Sequence, residues 1–429
     1  MHRVTLVVGN GPIGSSIARS LSDRGERVVL VGGSDSILSS HRDVGRIARA
    51  ADAEGSLTWI RRNKKALAMY ADLQERSQVR FFHQCGSLCI GDEDFLLPIR
   101  TGLDSTHSSY ETLEARNVVE KFPFLRVPDH YSAIWEPNAG YINPLDMIRA
   151  NNRIHENNPR GKYINGEVVG MRFLKSENTS GKQIECLVRK PGSNDPIPIV
   201  ADCVVVAAGG FTQQLLNTLR FQDGTPCRMP TAFRISKRTV SLALVEGDDL
   251  CSLSGMPCVK MQLSSAYTAS DYTGADVHSR IEASSVYVLP PIKYPCALAQ
   301  KQQSSSFVKI GGGANVWLSS DPCNQDENRI RNRMRTELET FMRSAGDENV
   351  ESQLAHTLLN EVLHVKNDTV TSYGKPCFTT CSEDDSLQIV DVGRDEAAVF
   401  VVAVGQGKSA APGPAIGEEA ADIVLAKLS

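Results

Sequence analysis

No run of apolar residues in the 429-residue chain approaches the length of a membrane-spanning helix. The longest, Cys203 to Ala208 and Ala397 to Val404, fall far short of the roughly 20 residues that such a helix needs, so a soluble protein is expected. An excess of positive charge is also missing. Lys and Arg number 46 against 50 Asp and Glu, a net charge of −4, which excludes attachment to nucleic acid through bulk charge. The eleven cysteines include no Cys-x-x-Cys pair and are too dilute for a disulfide scaffold. The nine histidines show no metal-ligand spacing, so no metal site is expected. No internal repeat is present, and the length fits roughly two to three domains. No secretory leader is expected, because the apolar stretch Val4 to Val8 stops at Gly9. The cytoplasm is the expected location; Lys427-Leu428-Ser429 at the C-terminus comes close to a peroxisomal address, which is the alternative.

What is present begins at the N-terminus. Val4-Thr5-Leu6-Val7-Val8 reads as a strand covered on both faces, and Gly9-Asn10-Gly11-Pro12-Ile13-Gly14 follows it as a G-x-G-x-x-G. Ile13, Ile17, Ala18 and Leu21 recur at helical spacing, and Val28-Val29-Leu30-Val31 supplies a second strand. This strand–turn–helix–strand context makes the glycine pattern a dinucleotide fingerprint. Gly9 allows the tight turn, Gly11 lets a pyrophosphate approach the backbone, and Gly14 permits close packing of helix on strand. Pro12 and Ile13 open the helix, whose N-terminus favours an anion. The acid that usually ends the second strand and holds the ribose is missing. Gly32 and Gly33 occupy that place, and the first acid is Asp35, which either substitutes from the loop or leaves the ribose to be held differently.

The glycine pattern alone does not separate FAD from NAD, but the remaining chain does. After Val31 the expected alternation of strands and helices gives way to a loop and a long amphipathic helix from about Glu54 to Arg76. Matching strands reappear only at Cys203 to Ala208, before Gly209-Gly210, and at Val399 to Val404, before Gly405. A helix from about Ile416 to Leu428 closes the chain, and Lys175 to Pro198 fits a hairpin connection. The predicted class is therefore α/β, α+β overall. It comprises a Rossmann-like FAD-binding domain and a discontinuous second domain on a mixed or antiparallel sheet. The expected FAD-binding segments are 1–80, 145–225 and 366–429; the expected substrate-binding segments are 81–144 and 226–365.

Several further patches carry a resemblance. They are Ser40-His41-Arg42-Asp43-Val44-Gly45-Arg46-Ile47-Ala48-Arg49, Trp135 to Pro144 with its Pro-x-x-Gly-Tyr box, Val204 to Gly210, Phe307-Val308-Lys309-Ile310-Gly311, Cys377-Phe378-Thr379-Thr380 with Leu387 to Asp391, and Pro414 to Glu418. In this order they resemble the FAD-dependent amine oxidases of the sarcosine oxidase and N-methyl amino acid oxidase type, within the D-amino-acid oxidase group. The resemblance implies that Arg46 packs near the flavin and Arg49 pairs with a substrate carboxylate, a task suited to the guanidinium fork. Their spacing of three places them on one face of a helical turn. It implies that Lys309 stands over the flavin and helps the reduced cofactor react with oxygen. Cys377 corresponds to the cysteine that forms a thioether to the flavin, with Cys381 as the candidate if the register slips. Ser40, His41, Val168 and Gly209 complete the expected FAD contacts on the N-terminal side, and Gly405, Gly407 and Lys408 those from the C-terminal loop.

That loop departs from the pattern. Gly405-Gln406-Gly407-Lys408-Ser409-Ala410-Ala411 puts Lys408 at the family's histidine position and Ala411 where its carboxylate-holding lysine stands. A larger or differently charged amine is favoured over a simple amino acid. The expected activity is oxidation of the C–N bond of a secondary or tertiary, N-methyl-type amine or amino acid to an imine. Oxygen would then reoxidise the FAD and yield H2O2. The alternatives are a biosynthetic FAD-dependent dehydrogenase or cyclase acting on a larger amine, and a catalytically inactive flavin-binding protein. A monomer acting on a small molecule and O2 is expected, without nucleic acid or membrane partners.

Overall fold

The computed structural model describes residues 3–33, 37–174, 183–263, 285–294, 305–312, 316–318, 327–344, 359, 362–364, 371–382, 384, 386–394 and 397–429. Asp35 lies outside them. Strand β1 (Val4–Val8) is apolar apart from Thr5 and buried from Thr5 onward, as a central parallel strand must be. Helix α1 (Pro12–Asp23) starts on Pro12, which gives up an N–H that has no intrahelical partner there. β2 (Arg27–Gly32) then pairs in parallel with β1, Val8 opposite Val31.

The sheet grows to six strands in the order 388–391, 398–403, 203–206, β1, β2, 161–165, parallel except at the 388–391 edge. On one face lie α1 and the closing helix Gly413–Leu428, with Ile17, Leu21, Ile416, Ala420 and Val424 packed against Val7, Leu30, Val205 and Phe400. The two helices touch because a Cβ at Gly417 would stand 2.6 Å from the Ser16 backbone, a contact only glycine permits. Buried Arg19 reaches Glu418 at 2.8 Å across the same crossing. The other face is covered by an antiparallel sheet of Glu167–Leu174, Gln183–Arg189 and Ile197–Ala201, so the expected hairpin connection supplies strands of its own.

A second sheet has nine strands. Its order runs 316–317, 234–244, 305–311, 285–294, 258–262, 87–91, 132–136, 111–114, with 372–381 also paired to 234–244. All pairs are antiparallel except 258–262 with 87–91, so the sheet is mixed. The architecture is α/β, a Rossmann-like sheet beside a larger mixed one. No helix among the described residues is long and apolar enough to cross a membrane.

One sequence reading changes. β3 (Arg46–Ala48) is an extended strand antiparallel to Gly140–Ile142, not a helical turn. Arg49 follows the end of this strand, so no helical turn aligns it with Arg46, although both line the cavity described below. The acid missing from the end of β2 has a steric cause. A Cβ on Gly32 would collide with the Asn10 backbone and stand 2.5 Å from the Asn10 Cβ, so the turn after β1 fills the space that a side chain would need. Gly32→Asp is accordingly expected to cost about 1–3 kcal/mol through overpacking. The fall in the denaturant midpoint measures it, and an unchanged midpoint would contradict the packing.

Candidate active site

A cavity of about 1450 Å³ opens where the carboxyl ends of β1 and β2 meet one face of the nine-stranded sheet. In doubly wound sheets this is where ligands bind. Gly9 has φ +111°, and a Cβ there would strike the Ala207 carbonyl; a Cβ on Gly14 would strike the Gly9 carbonyl. Both positions require glycine. Gly11 is open instead, its nearest side chain being His41, whose Nδ1 would stand 3.5 Å from a Cβ. Gly11 caps α1 with no side-chain hydrogen bond, leaving the first amides of the helix to an incoming anion. Asn10 Oδ1 is buried beside them without a hydrogen-bond partner, and a Cβ on Gly209 would meet nothing within 4 Å. Open backbone, a bare helix N-terminus and an orphaned acceptor fit a pyrophosphate-linked dinucleotide. Val168, Gly405, Gly407 and Ser40 also line the cavity.

Strand alternation sets the opposite wall. Lys309 lies across from Leu242 and Leu289, Arg238 from Cys377, and Lys260 from both Cys89 and Tyr287. Cross-strand partners share a face. Lys309, Arg238, Cys377, Lys260 and Tyr287 therefore project together, and all line the cavity. Cys381, farther along the strand of Cys377, does not line it.

Asp43, a residue to which the sequence assigned no role, does not line the cavity but holds two of the residues that do, Lys309 and Arg46. Its buried carboxylate accepts hydrogen bonds from the Lys309 ammonium and the Arg46 guanidinium. It also accepts from Tyr294 Oη at 2.9 Å and from the Val44 amide at 2.8 Å. Lys309 donates further to the Gly45 carbonyl at 2.8 Å, and Arg46 to that of Ser40 at 3.1 Å. Burial pushes the Asp43 carboxyl up, but Lys309 and Arg46 outweigh it and hold it well below the usual carboxylate range. Burial and then Arg46 bring Lys309 down to about 8 against the pull of Asp43, so the ammonium is mostly protonated at neutral pH. Burial, with Arg46 and Arg42, lowers His41 to about 4 and leaves its imidazole neutral.

Arg49 follows β3 and lines the same cavity. It donates to Cys89 Sγ at 2.9 Å, near Glu136, whose carboxylate accepts the Ala50 amide at 2.7 Å. In the C-terminal loop Val404 and Gln406 have φ of +66° and +52°, values that are costly for non-glycine residues, above all for a β-branched one. The loop is held there by the Gln406 amide donating to the Thr380 carbonyl at 3.0 Å. Lys408 bonds to Glu54 at 2.5 Å and to Asp52 at 3.1 Å. Ala411 lines the cavity, its carbonyl accepting from Tyr70 Oη at 2.7 Å.

The family model for FAD dependent oxidoreductases (DAO) matches residues 5–423. An N-methyl-L-tryptophan oxidase of Yersinia pestis (strain Pestoides F) is 29% identical over 144 residues, 32% of this chain and 38% of that protein. The matched stretch thus spans well under half of that relative. Among solved structures, NikD, an unusual amino acid oxidase essential for nikkomycin biosynthesis, superposes with a TM-score of 0.66 at 16% identity, covering 99% of this chain and 95% of that one. Glycine oxidase from Bacillus cereus ATCC 14579 gives a TM-score of 0.64 at 15% identity, over 99% and 95%.

Proposed function

The chain belongs to the DAO family of FAD dependent oxidoreductases, and from that premise we propose that it oxidises the C–N bond of a secondary or tertiary, N-methyl-type amine or amino acid to an imine, with O2 as the final acceptor and H2O2 released. The observation that carries this reading is the buried cluster of Asp43, Lys309 and Arg46, which borders the same cavity as the glycine turn Gly9 to Gly14. The FAD-binding domain is taken as 1–80, 145–225 and 366–429, and the substrate domain as 81–144 and 226–365.

Bound FAD supplies the two-electron acceptor; the protein supplies position, exclusion of water and electrostatics. Gly11, Pro12 and Ile13 present the helix terminus to the pyrophosphate, and neutral His41 packs beside Gly11 without adding charge. Arg46, fixed by Asp43 and Ser40, lines the cavity that would hold the flavin. Lys309 keeps a protonated ammonium aimed at the cavity, where it stabilises the negative charge that develops as oxygen takes up electrons. Arg49 holds an acidic group of the amine. A larger amine intermediate processed by dehydrogenation is the second reading, favoured by Ala411 at the wall of the cavity.

Cys377 is the proposed point of covalent attachment. It lines the cavity across from Arg238 and interacts electrostatically with Arg46 and Lys309. Acid precipitation of the holoenzyme is expected to leave the yellow colour in the pellet, and Cys377→Ser to release it to the supernatant. Colour wholly in the wild-type supernatant removes the attachment but not the oxidase. A panel of N-methyl amines and amino acids tests the activity. Peroxide release from at least one is expected, and silence from all of them contradicts it.

A further inference from the structure

Two thiols meet at the edge of the apolar layer that surrounds Asp43. Cys258 opens the strand Cys258–Gln262, and Cys85 stands two residues before Ser87–Gly91, which pairs with it in parallel. Ser87 is the registered partner of Cys258, whose amide donates to the Gly86 carbonyl at 3.1 Å. Between Cys85 and Ser87 the chain turns at Gly86, φ +81°, where a Cβ would strike the Trp135 ring. The Cys85 and Cys258 thiols come within hydrogen-bonding reach of each other, although they lie far apart along the chain. Cys258 is fully buried among Val44, Leu289 and Tyr294 and donates to the Gly140 carbonyl at 3.3 Å, whereas Cys85 is partly exposed. Neither lines the cavity, so the pair is separate from Cys377.

We propose that Cys85 and Cys258 form a redox modification site, which a hydroperoxide converts reversibly to an intrachain disulfide. The Cys85 thiolate attacks one peroxide oxygen, the O–O bond breaks, hydroxide leaves, and Cys85 becomes a sulfenic acid. The Cys258 sulfur then attacks the Cys85 sulfur, forming the S–S bond and displacing a second hydroxide. The two hydroxides take up the two thiol protons, so two thiols and one H2O2 give one disulfide and two waters. The sulfurs lose two electrons and the peroxide oxygens gain them. The roles follow from placement. Cys85 is the thiol that solvent reaches, and its hydrogen bond with Cys258 lowers its pKa; the Cys258 amide adds to this against burial. Burial and then Cys85 push Cys258 well up, so it waits as a thiol beside the sulfur it resolves. The site goes beyond the amine-oxidising reading: that reaction is one source of peroxide, and external peroxide serves equally.

The holoenzyme, reduced with dithiothreitol and desalted, is treated with H2O2 in the absence of amine. It is then denatured, alkylated with N-ethylmaleimide and digested for peptide mass spectrometry. The expected product is a peptide cross-linked through Cys85 and Cys258, formed about 10-fold faster than exposed Cys251 is oxidised and lost on renewed treatment with dithiothreitol. Cys85→Ser should abolish the link and leave Cys258 fully alkylated. Cys258→Ser should halt the sequence at the sulfenic acid, trapped on Cys85 by dimedone. Full alkylation of Cys85 at peroxide levels that oxidise Cys251 overturns the proposal. So does sulfinic acid on Cys85 with no link to Cys258 in the native protein. The two readings fail separately, because the peroxide is added. A link formed in a protein that oxidises no amine leaves the site without the oxidase; amine turnover in a protein that forms no link leaves the oxidase without the site.

Discussion

Replacement of Lys309 by Met is expected to slow the reaction of the reduced holoenzyme with O2 by about 100-fold or more, the scale seen when one preorganised donor is removed from a developing charge. Anaerobic reduction by the amine should change by only a few-fold. The asymmetry follows from where the charge appears. Lys309 is 1% exposed and tied to Asp43 and the Gly45 carbonyl, so its ammonium is fixed before the reaction and pays no reorganisation when negative charge builds on oxygen. Hydride leaving the amine places no negative charge on oxygen. Stopped-flow measurement of the two half-reactions separates them, and equal slowing of both would contradict the role given to Lys309.

Asp43→Asn is expected to be the most damaging single change to stability, about 3–5 kcal/mol, because it leaves Lys309 and Arg46 facing each other without their shared anion. The denaturant midpoint measures this. A double-mutant cycle sharpens it: Lys309→Met in the Asp43→Asn background should recover part of the loss, whereas strict additivity would show that the three groups do not act as a unit. The pH dependence has a definite sign. Folding depresses the Asp43 pKa below its unfolded value, so the stabilisation is fully present above about pH 5 and is lost progressively as the pH falls below about 4. The Asn variant lacks that component, and the difference between the two proteins should shrink in acid.

The nucleotide half of the fold was legible because its constraints are local. Gly9 and Gly14 are set by contacts within a few residues or with the next strand, and the runs at 203–206 and 398–403 are apolar because both faces of each strand are covered. Asp43 was not legible as a hub. It stood in a recognised segment, but Lys309 is 266 residues away and Tyr294 is 251, and nothing in the local pattern marks a carboxylate that distant strands will surround. Lys260 carried no motif at all; only the registration of its strand with Cys89 brings it to Arg49. The pairing of Arg46 with Arg49 failed for a related reason. Spacing of three suggests a helical face, but the strand Gly140–Ile142 draws β3 into an extended ladder and turns the two guanidinium groups to different tasks. The acid absent from the end of β2 was read correctly as missing, and its cause, Asn10 packed into that space, needed coordinates.

Mixing the purified yellow protein with an N-methylated amine or amino acid, first without oxygen and then in air, tests the central claim most directly. The account predicts that the visible flavin absorbance bleaches on anaerobic mixing and returns on admission of air, with one H2O2 formed for each imine. An absorbance unmoved by every such amine, in protein that demonstrably retains its flavin, would contradict it.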